Sequence, residues 1–594
     1  MSRKQEYQQR IQKLNSELLL ISSNLNQIVV ARLLLALAII ACLVLAYYLN
    51  YQLVFGALAF LFMALFGLKV KQHIKQKRLL NHKQTLKAIN ENELDCLAGN
   101  VSNNSSGKQF LQFDSANAYD LDLFGDGSLY QHIHRDSTPE GAQELANNLL
   151  HTLNHFDEIT QRQQELLELH EKVEWRQNFL AIAQLNKPKK ENEGSLNQWL
   201  LDKELFISQK SWLKPLLLVG PLVCIGAIVL YSFSFIPSSV PVAIGLLQLG
   251  FVGRKLKAIN RFHFGLSKKQ QVLERMASLL EHIEAGHFEH ENLFNLQTKS
   301  NAAGKAIRQL KRRINLLDSR LNAMMAIVLN GVFLWDVRQV LAIEEWKAKH
   351  LADTEKWLDV IARMNAKILF ANYVHNLPDF CWPKESTSLL IEAKDLAHPF
   401  IQAEKRISNH FELEPNGQMI LLSGANMSGK STFLRTVGLA MVKAQMGLPV
   451  CASSFSCMPL PVYTSMRIND SLLDSESYFY SELKRLKMVI DEIKSGKKMM
   501  VLLDEILRGT NSNDKHQGSI GLLDQLISLK TSGILASHDI ALGSLAETYP
   551  NKLINKSFEV ENENGELVFD YKLRSGVCQN LNASYLMKKM GITG

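Results

Sequence analysis

Apolar residues follow three patterns along this chain. Four runs are apolar almost without interruption: Leu33–Leu49, Leu53–Leu68, Leu216–Phe235 and Val240–Gly253. Residues 298–380 have the periodicity of helices with one apolar face. After residue 380 the apolar positions contract to short blocks, such as Met419–Leu422 and Met499–Leu503, that end in small or acidic residues. Such blocks read as buried strands that deliver loops to a site.

The long runs set the first expectation. A helix needs roughly 20 apolar residues, and at least about 17, to cross the hydrocarbon core of a bilayer. The first and third runs meet that length. The second and fourth are shorter, but each follows a tight turn and reaches across with its flanks included. The four pair into two transmembrane hairpins, 33–68 and 211–254. A signal peptide does not fit, because a long polar segment precedes the first run and no small-residue cleavage site follows. Basic residues flank the inner ends: Arg32, Lys69, Lys71, Lys75, Lys77 and Arg78 for the first hairpin, and Lys214, Arg254, Lys255 and Lys257 for the second. The outer turns carry none. Positive residues collect on the cytoplasmic side, so the expectation is an integral membrane protein with both termini and the segment between the hairpins in the cytoplasm.

Composition adds little to that picture. The net charge of +8 permits contact with nucleic acid or anionic lipid and requires neither. The seven cysteines are scattered, form no C-x-x-C pair and have no zinc spacing, which fits a reducing compartment better than a disulfide framework.

The chemistry lies in the C-terminal third. "MILLSGANMSGKSTFLRTVGLAMVKA" is a strand, a small-residue loop and a helix, and Gly424–Ser431 fits G-x-x-x-x-G-K-[ST]. Gly424 and Gly429 allow the backbone to approach phosphate, Lys430 supplies charge to the β- and γ-phosphates, and the Ser431 hydroxyl suits Mg²⁺. Ala425, Asn426, Met427, Ser428 and Thr432 complete the loop. In "KKMMVLLDEILRGT" a second strand ends in Asp504 and Glu505, one placed to hold the metal and the other to position the attacking water. "GILASHD" is a third strand, ending at Ser537 and His538, where a polar side chain could sense the γ-phosphate.

These segments resemble the ATPase domain of MutS-type DNA mismatch repair proteins. "GANMSGKSTFLR", "LLDEILRGT" and "ASHD" are similar to that family's G-P-N-M-G-G-K-S-T, L-x-D-E-x-G-R-G-T and A-T-H. Ala425, Ser428 and Leu507 depart from the pattern without removing a phosphate or metal ligand. The resemblance implies ATP and Mg²⁺ as cofactors, Glu505 as general base and His538 as γ-phosphate sensor. "DSESYFYSELKRL" is similar to the family's S-T-F-x-x-E, with Phe479 and Glu482 aligned. Ser477 would then reach the nucleotide of an opposite subunit, which implies a homodimer with composite sites. The family places an aromatic near the adenine, which makes His410 and Phe411 in "RISNHFEL" the candidates.

Upstream, "YDLDLFGDGSLYQHIHRDSTPEGAQELANNLL" and "RQQELLELHEKVEWRQNFLA" resemble the family's core segment and the helix after it. The mismatch-reading wedge has no counterpart, and the second hairpin occupies the interval of the DNA clamp. The family's C-terminal dimerising helices are expected to be absent or minimal. The basic stretch Lys299–Arg320 either touches phosphate or is a solvated helix face. The expected fold is a C-terminal α/β P-loop ATPase domain joined to a mainly α-helical core and lever domain, with two transmembrane hairpins. Its expected divisions are a helix at 1–32, a hairpin at 33–68, core helices at 69–210, a hairpin at 211–254, lever helices at 255–380 and the ATPase domain at 381–594. The expected activity is ATP hydrolysis, linked by resemblance to mismatched DNA and mismatch repair. Two alternatives stand beside it. One is an ABC-type transport ATPase, which would carry L-S-G-G-Q where "DSESYFYSE" lies. The other is an ATP-switched scaffold with a partner other than DNA.

Overall fold

The computed structural model describes residues 2–49, 51–111, 116–185, 187, 212–267, 270–466, 478–507, 509–563 and 566–579. The chain divides into two compact units. One comprises residues 1–94, 136–142 and 173–365, and the other residues 95–135, 143–172 and 366–594.

The first unit is helical. Arg3–Tyr48 and Gln52–Leu97 are each 46 residues long, about 69 Å at roughly 1.5 Å per residue. Lys83 reaches Glu17 at 2.7 Å, and the Arg32 guanidinium sits over the Phe66 ring at 5.6 Å, so the two run antiparallel as a hairpin. No glycine or proline interrupts the chain between its polar start and the first apolar run. The N-terminal helix and the first apolar run are therefore one continuous helix and not two elements. The apolar tip leaves Leu33, Leu37, Ile40, Leu53 and Phe60 exposed. The polar base is fastened to helix Val173–Leu185, where Asn90 and Gln177 exchange two amide hydrogen bonds of 3.1 and 2.9 Å and His82 meets Asn178 at 2.9 Å.

Helices Leu213–Ser232 and Ser239–Ser267 form the second hairpin, bridged by the Gln248 amide donating to the Gly220 carbonyl at 2.9 Å. Three of the described helices are long and apolar enough to cross a membrane: Arg3–Tyr48, Gln52–Leu97 and Leu213–Ser232. The fourth expected span is not among them. Its apolar run gives way at Arg254, Lys255 and Lys257 before it reaches spanning length, and the helix continues as a polar one. Among the described residues a fourth span is reached, by length and composition, if Glu291–Leu321 and Ala323–Phe333, bent by 113°, are taken as one. Helices Gln270–Glu284 and Ala303–Asp318 each bury an apolar stripe, including Leu273, Leu280, Leu310 and Ile314, and charge pairs link them at the surface. Arg308 pairs with Glu281 and with Glu274 at 3.3 Å, and Lys311 with Glu274 at 2.7 Å. Of the seven basic residues in Lys299–Arg320, Arg308 and Lys311 are thus engaged by glutamates of their own unit. Helix Trp335–His375 gives its residues up to Asn365 to this unit and the remainder to the other.

The second unit is built on two sheets. The smaller has the order β1-β5-β2-β3, with β1 Lys384–Glu385, β2 Ile391–Leu396, β3 Asn409–Leu413 and β5 Ser454–Cys457. The larger has the order β10-β9-β4-β8-β7-β6, with β4 Met419–Gly424, β6 Val462–Ser465, β7 Met500–Asp504, β8 Ser532–Ser537, β9 Leu553–Glu563 and β10 Glu566–Ser575. Strands β6, β7, β8, β4 and β9 are parallel, and β10 returns antiparallel. Every residue of β4, β7 and β8 is buried, as expected for parallel strands covered on both faces.

The open edge at β6 is closed by helix Ala116–Asp120, far away in sequence. Asn117 accepts the Thr464 amide at 2.9 Å and donates to the Val462 carbonyl. The fully buried Asp120 accepts the Thr464 hydroxyl at 2.9 Å and the Met466 amide at 3.0 Å. Capping satisfies backbone groups that an exposed edge would leave open. Residues 95–135 and 143–172 therefore belong with the sheets, and the stretch 69–210 is shared between the two units.

Candidate functional site

Parallel α/β sheets bind ligands beyond the carboxyl ends of their strands. Here the loops after β4, β7 and β8, which are neighbours in the sheet, bring together Lys430, Asp504, Glu505 and His538.

The loop after β4 turns into helix Lys430–Gln445 through Gly429, at φ 101°. A side chain on Gly429 would meet the Tyr571 ring at 3.0 Å. On Gly424 it would lie 2.7 Å from the Ser428 hydroxyl and 2.9 Å from the Phe558 carbonyl. Both positions need glycine because the backbone passes so close to its neighbours. The buried Lys430 ammonium donates to the carbonyls of Gly424 at 2.8 Å and Ala425 at 2.9 Å. Burial lowers its pKa, and the nearby Glu505 and Asp504 carboxylates oppose that shift.

The Ser431 hydroxyl donates to Asp504 at 2.6 Å. A hydroxyl beside a carboxylate is a hard-oxygen donor set that fits Mg²⁺, an ion usually held by one or two protein oxygens together with phosphates and water. Among the described residues no group of three His, Cys, Asp or Glu side chains gathers into a separate metal site. His538 contacts Glu505 through Nε2, while its Nδ1 lies 2.9 Å from the Gly424 carbonyl and 3.4 Å from Lys430.

The acidic loop is braced from helix Tyr478–Lys494. The buried Glu482 accepts the Leu507 amide at 2.7 Å, and Phe479 packs against Gly509. Glu505 and Leu507 both have positive φ, 48° and 60°. That conformation costs a leucine about 1–2 kcal/mol. Its side chain is nevertheless buried, packed where Gly518 carries none.

A cavity of about 460 Å³ opens beside the loop, lined by Asn426–Phe433, Glu505, His398, Lys405, Ile407, Asn409 and Tyr571. Neither adenine candidate lines it. Strand β3 alternates, so Phe411 points into the core against Phe433 at 5.4 Å, and His410 points outward to Glu412 at 3.0 Å. Ile407 and Tyr571 supply the apolar wall instead. Asn409 ties the wall together by donating to the Tyr571 carbonyl at 3.0 Å and accepting the Leu573 amide at 2.7 Å. Burial, helped by Arg435, pushes His398 down to about 4, so its ring enters the wall neutral. Nothing in the local sequence marks Tyr571, since its place depends on the β9–β10 pairing. Ser477 lies outside the described residues, as does Arg508.

A glycine-bounded loop with a buried lysine, a Ser–Asp oxygen pair and an acidic residue beside a histidine, all on adjacent parallel strands, define a P-loop ATPase domain. Residues 420–591 match MutS domain V, an ABC-like ATPase domain that binds ATP and Mg²⁺. MutS protein homolog 4 of Homo sapiens is 29% identical over 245 residues, which are 39% of this chain and 25% of that protein. The DNA mismatch repair protein MutS of Thermotoga neapolitana is 30% identical over 224 residues, 37% of this chain and 26% of that one. MutS of Brevibacillus brevis is 28% identical over 347 residues, 56% of this chain and 37% of that one. The chain covers about a quarter of the length of the first two.

Proposed function

We propose that this protein is a membrane-anchored ATPase that cycles between ATP-bound and hydrolysed states in a composite homodimer, with its termini and ATPase domain in the cytoplasm. The observation that carries the reading is the convergence of Lys430, the Ser431–Asp504 pair and the Glu505–His538 contact on neighbouring strand ends. The loop amides and Lys430 bind the phosphates of ATP, and Ile407 and Tyr571 enclose its base. Ser431 and Asp504 hold Mg²⁺, which supplies charge neutralisation at the phosphates. Glu505 takes the proton from the attacking water, with its carboxylate oriented by His538. Glu482 and Phe479 keep the Glu505 loop in place. Ser477 completes the site of the partner subunit.

Membrane anchoring rests on the exposed apolar tip of the first hairpin and on helix Leu213–Ser232. A role in reading mismatched DNA is not favoured. The basic helix that could touch phosphate commits Arg308 and Lys311 to Glu281 and Glu274.

The test is the ATPase rate in nanodiscs without DNA and with matched, mismatched and single-stranded DNA across a salt series. Phosphate contacts weaken steeply with salt. The expected result is robust basal turnover indifferent to every DNA, with Glu505→Gln retaining ATP while hydrolysis falls about 10²–10⁴-fold, the usual worth of a positioned base. A mismatch-selective change in rate would overturn the membrane assignment of the motor's work. Normal turnover in Glu505→Gln would remove Glu505 as the base.

A further inference from the structure

We propose that helix Ala323–Phe333 is a re-entrant half-span, inserted into the cytoplasmic leaflet beside the second hairpin with its outer face against lipid acyl chains. The inference rests on the membrane reading above and extends it to a segment whose sequence pattern did not single it out.

The helix has 11 residues, "AMMAIVLNGVF", and no charge. At roughly 1.5 Å per residue it is about 16 Å long, half of the ~30 Å hydrocarbon core. It can enter a bilayer and cannot cross one. Its inner face packs on the second hairpin through small residues, which let helix backbones approach closely in lipid. A side chain on Gly245 would meet the Gly331 carbonyl at 3.6 Å, one on Gly220 would meet a Leu334 methyl at 3.1 Å, and the Cys224 thiol lies 3.6 Å from the Gly331 carbonyl. Its outer face carries Met324, Met325, Ile327 and Val328, with Met324 81% exposed, and Leu321 in the turn before it is 76% exposed. That surface continues the exposed apolar face of helix Leu213–Ser232, which is itself of spanning composition.

The ends of the helix are built for partial insertion. Asn322 caps the start by accepting the Met325 amide at 3.2 Å. Leu334, at φ 52°, ends the helix, and Asn330 accepts the Asp336 amide at 2.9 Å. Both ends lie beside polar anchors. Arg320 pairs with Asp336 at 3.2 Å, the Trp335 indole donates to the Leu316 carbonyl at 2.8 Å, and His263 meets Asp318 at 2.7 Å. Arg254, Lys257, Arg261, Arg312 and Arg313 are exposed on the two neighbouring helices, a positive rim suited to anionic headgroups. A single residue, Leu334, joins the half-span to helix Trp335–His375, so a change in its depth pulls directly on the long helix.

The test uses the full chain reconstituted in vesicles of phosphatidylcholine and phosphatidylglycerol. Bimane is placed at Met324→Cys, Leu222→Cys and Arg312→Cys, each read against the unsubstituted protein treated identically because seven native thiols are free. Lipids brominated at shallow or deep acyl positions act as quenchers. The expected result is loss of fluorescence at 324 and 222, stronger at 324 with shallow bromines, and no loss at 312. Quenching at 222 without quenching at 324 overturns the half-span and leaves the membrane reading standing. No quenching at either site overturns the membrane reading itself. An oxidative dimer formed by the Met324→Cys variant, without quenching at that position, assigns the face to a second copy and overturns the half-span.

Discussion

"MILLSG" in the sheet unit and "LLLALAIIACLVLAYY" in the helical unit are both rich in apolar residues, yet the first is buried throughout and most of the second is exposed. The difference lies in length and in cover. A short apolar strand satisfies its backbone through two neighbours, and both its faces are then sealed by helices. A long uncharged helix satisfies its own backbone and needs only an apolar solvent around it. Apolar content therefore does not distinguish core from membrane in this protein. The distinguishing feature is whether the backbone hydrogen bonds close within the segment or require partners from elsewhere in the chain.

Removing the lipid-facing side of that contrast should have the largest effect. Deletion of 29–70 together with 212–256 is expected to move the protein from the membrane pellet to the supernatant, read by fractionation and by nucleotide binding to the released chain. Retention in the pellet after carbonate washing would remove both hairpins as the anchor.

On the sheet side, Asp120→Ala strips the acceptor from the Met466 amide at the β6 edge and leaves the Thr464 hydroxyl only Asn117, at 3.2 Å. Leaving buried donors unmet costs about 1–3 kcal/mol each, so a lowered melting temperature for the ATPase unit is the expected readout, and Asp120→Asn should recover part of it. An unchanged melting curve would mean that the edge needs no cap.

The third test concerns a buried amine. Lys443 is fully buried, with its ammonium 4.7 Å from the Phe380 ring centre and 5.1 Å from that of Tyr373, and burial pushes it from 10.5 down to about 7. Between those values the unfolded chain binds a proton that the folded chain has released, so the contribution of this group to stability rises with pH. Lys443→Met is expected to stabilise most at or below pH 7, with the gain shrinking towards pH 10 in thermal melts. A gain independent of pH would assign the effect to packing alone.

Much of the site was legible because its chemistry is local. Gly424 to Ser431 is one loop, and Asp504 with Glu505 is one strand end. The short apolar strand before each identifies it as a loop at the edge of a buried sheet. The cavity wall was not legible. Strand β3 alternates, and a shift of one residue decides whether His410, Phe411 or Asn409 faces the base. Tyr571 arrives from a strand 162 residues beyond Asn409, through a hydrogen bond that no spacing rule anticipates. The apolar helix at Ala323–Phe333 was not legible either, because 11 residues fall below any spanning length.

By itself the sequence determined the glycine-bounded loop Gly424–Ser431, the acidic strand end Asp504–Glu505 and the long apolar runs, since each depends on residues adjacent in the chain. Only the tertiary structure decided that residues 95–135 and 143–172 belong with the sheets, that glutamates of the same unit engage Arg308 and Lys311, and that Ile407 and Tyr571 wall the cavity. Those outcomes rest on contacts between distant segments, where a partner's identity is set by which backbone groups and charges remain unsatisfied once the local elements have formed.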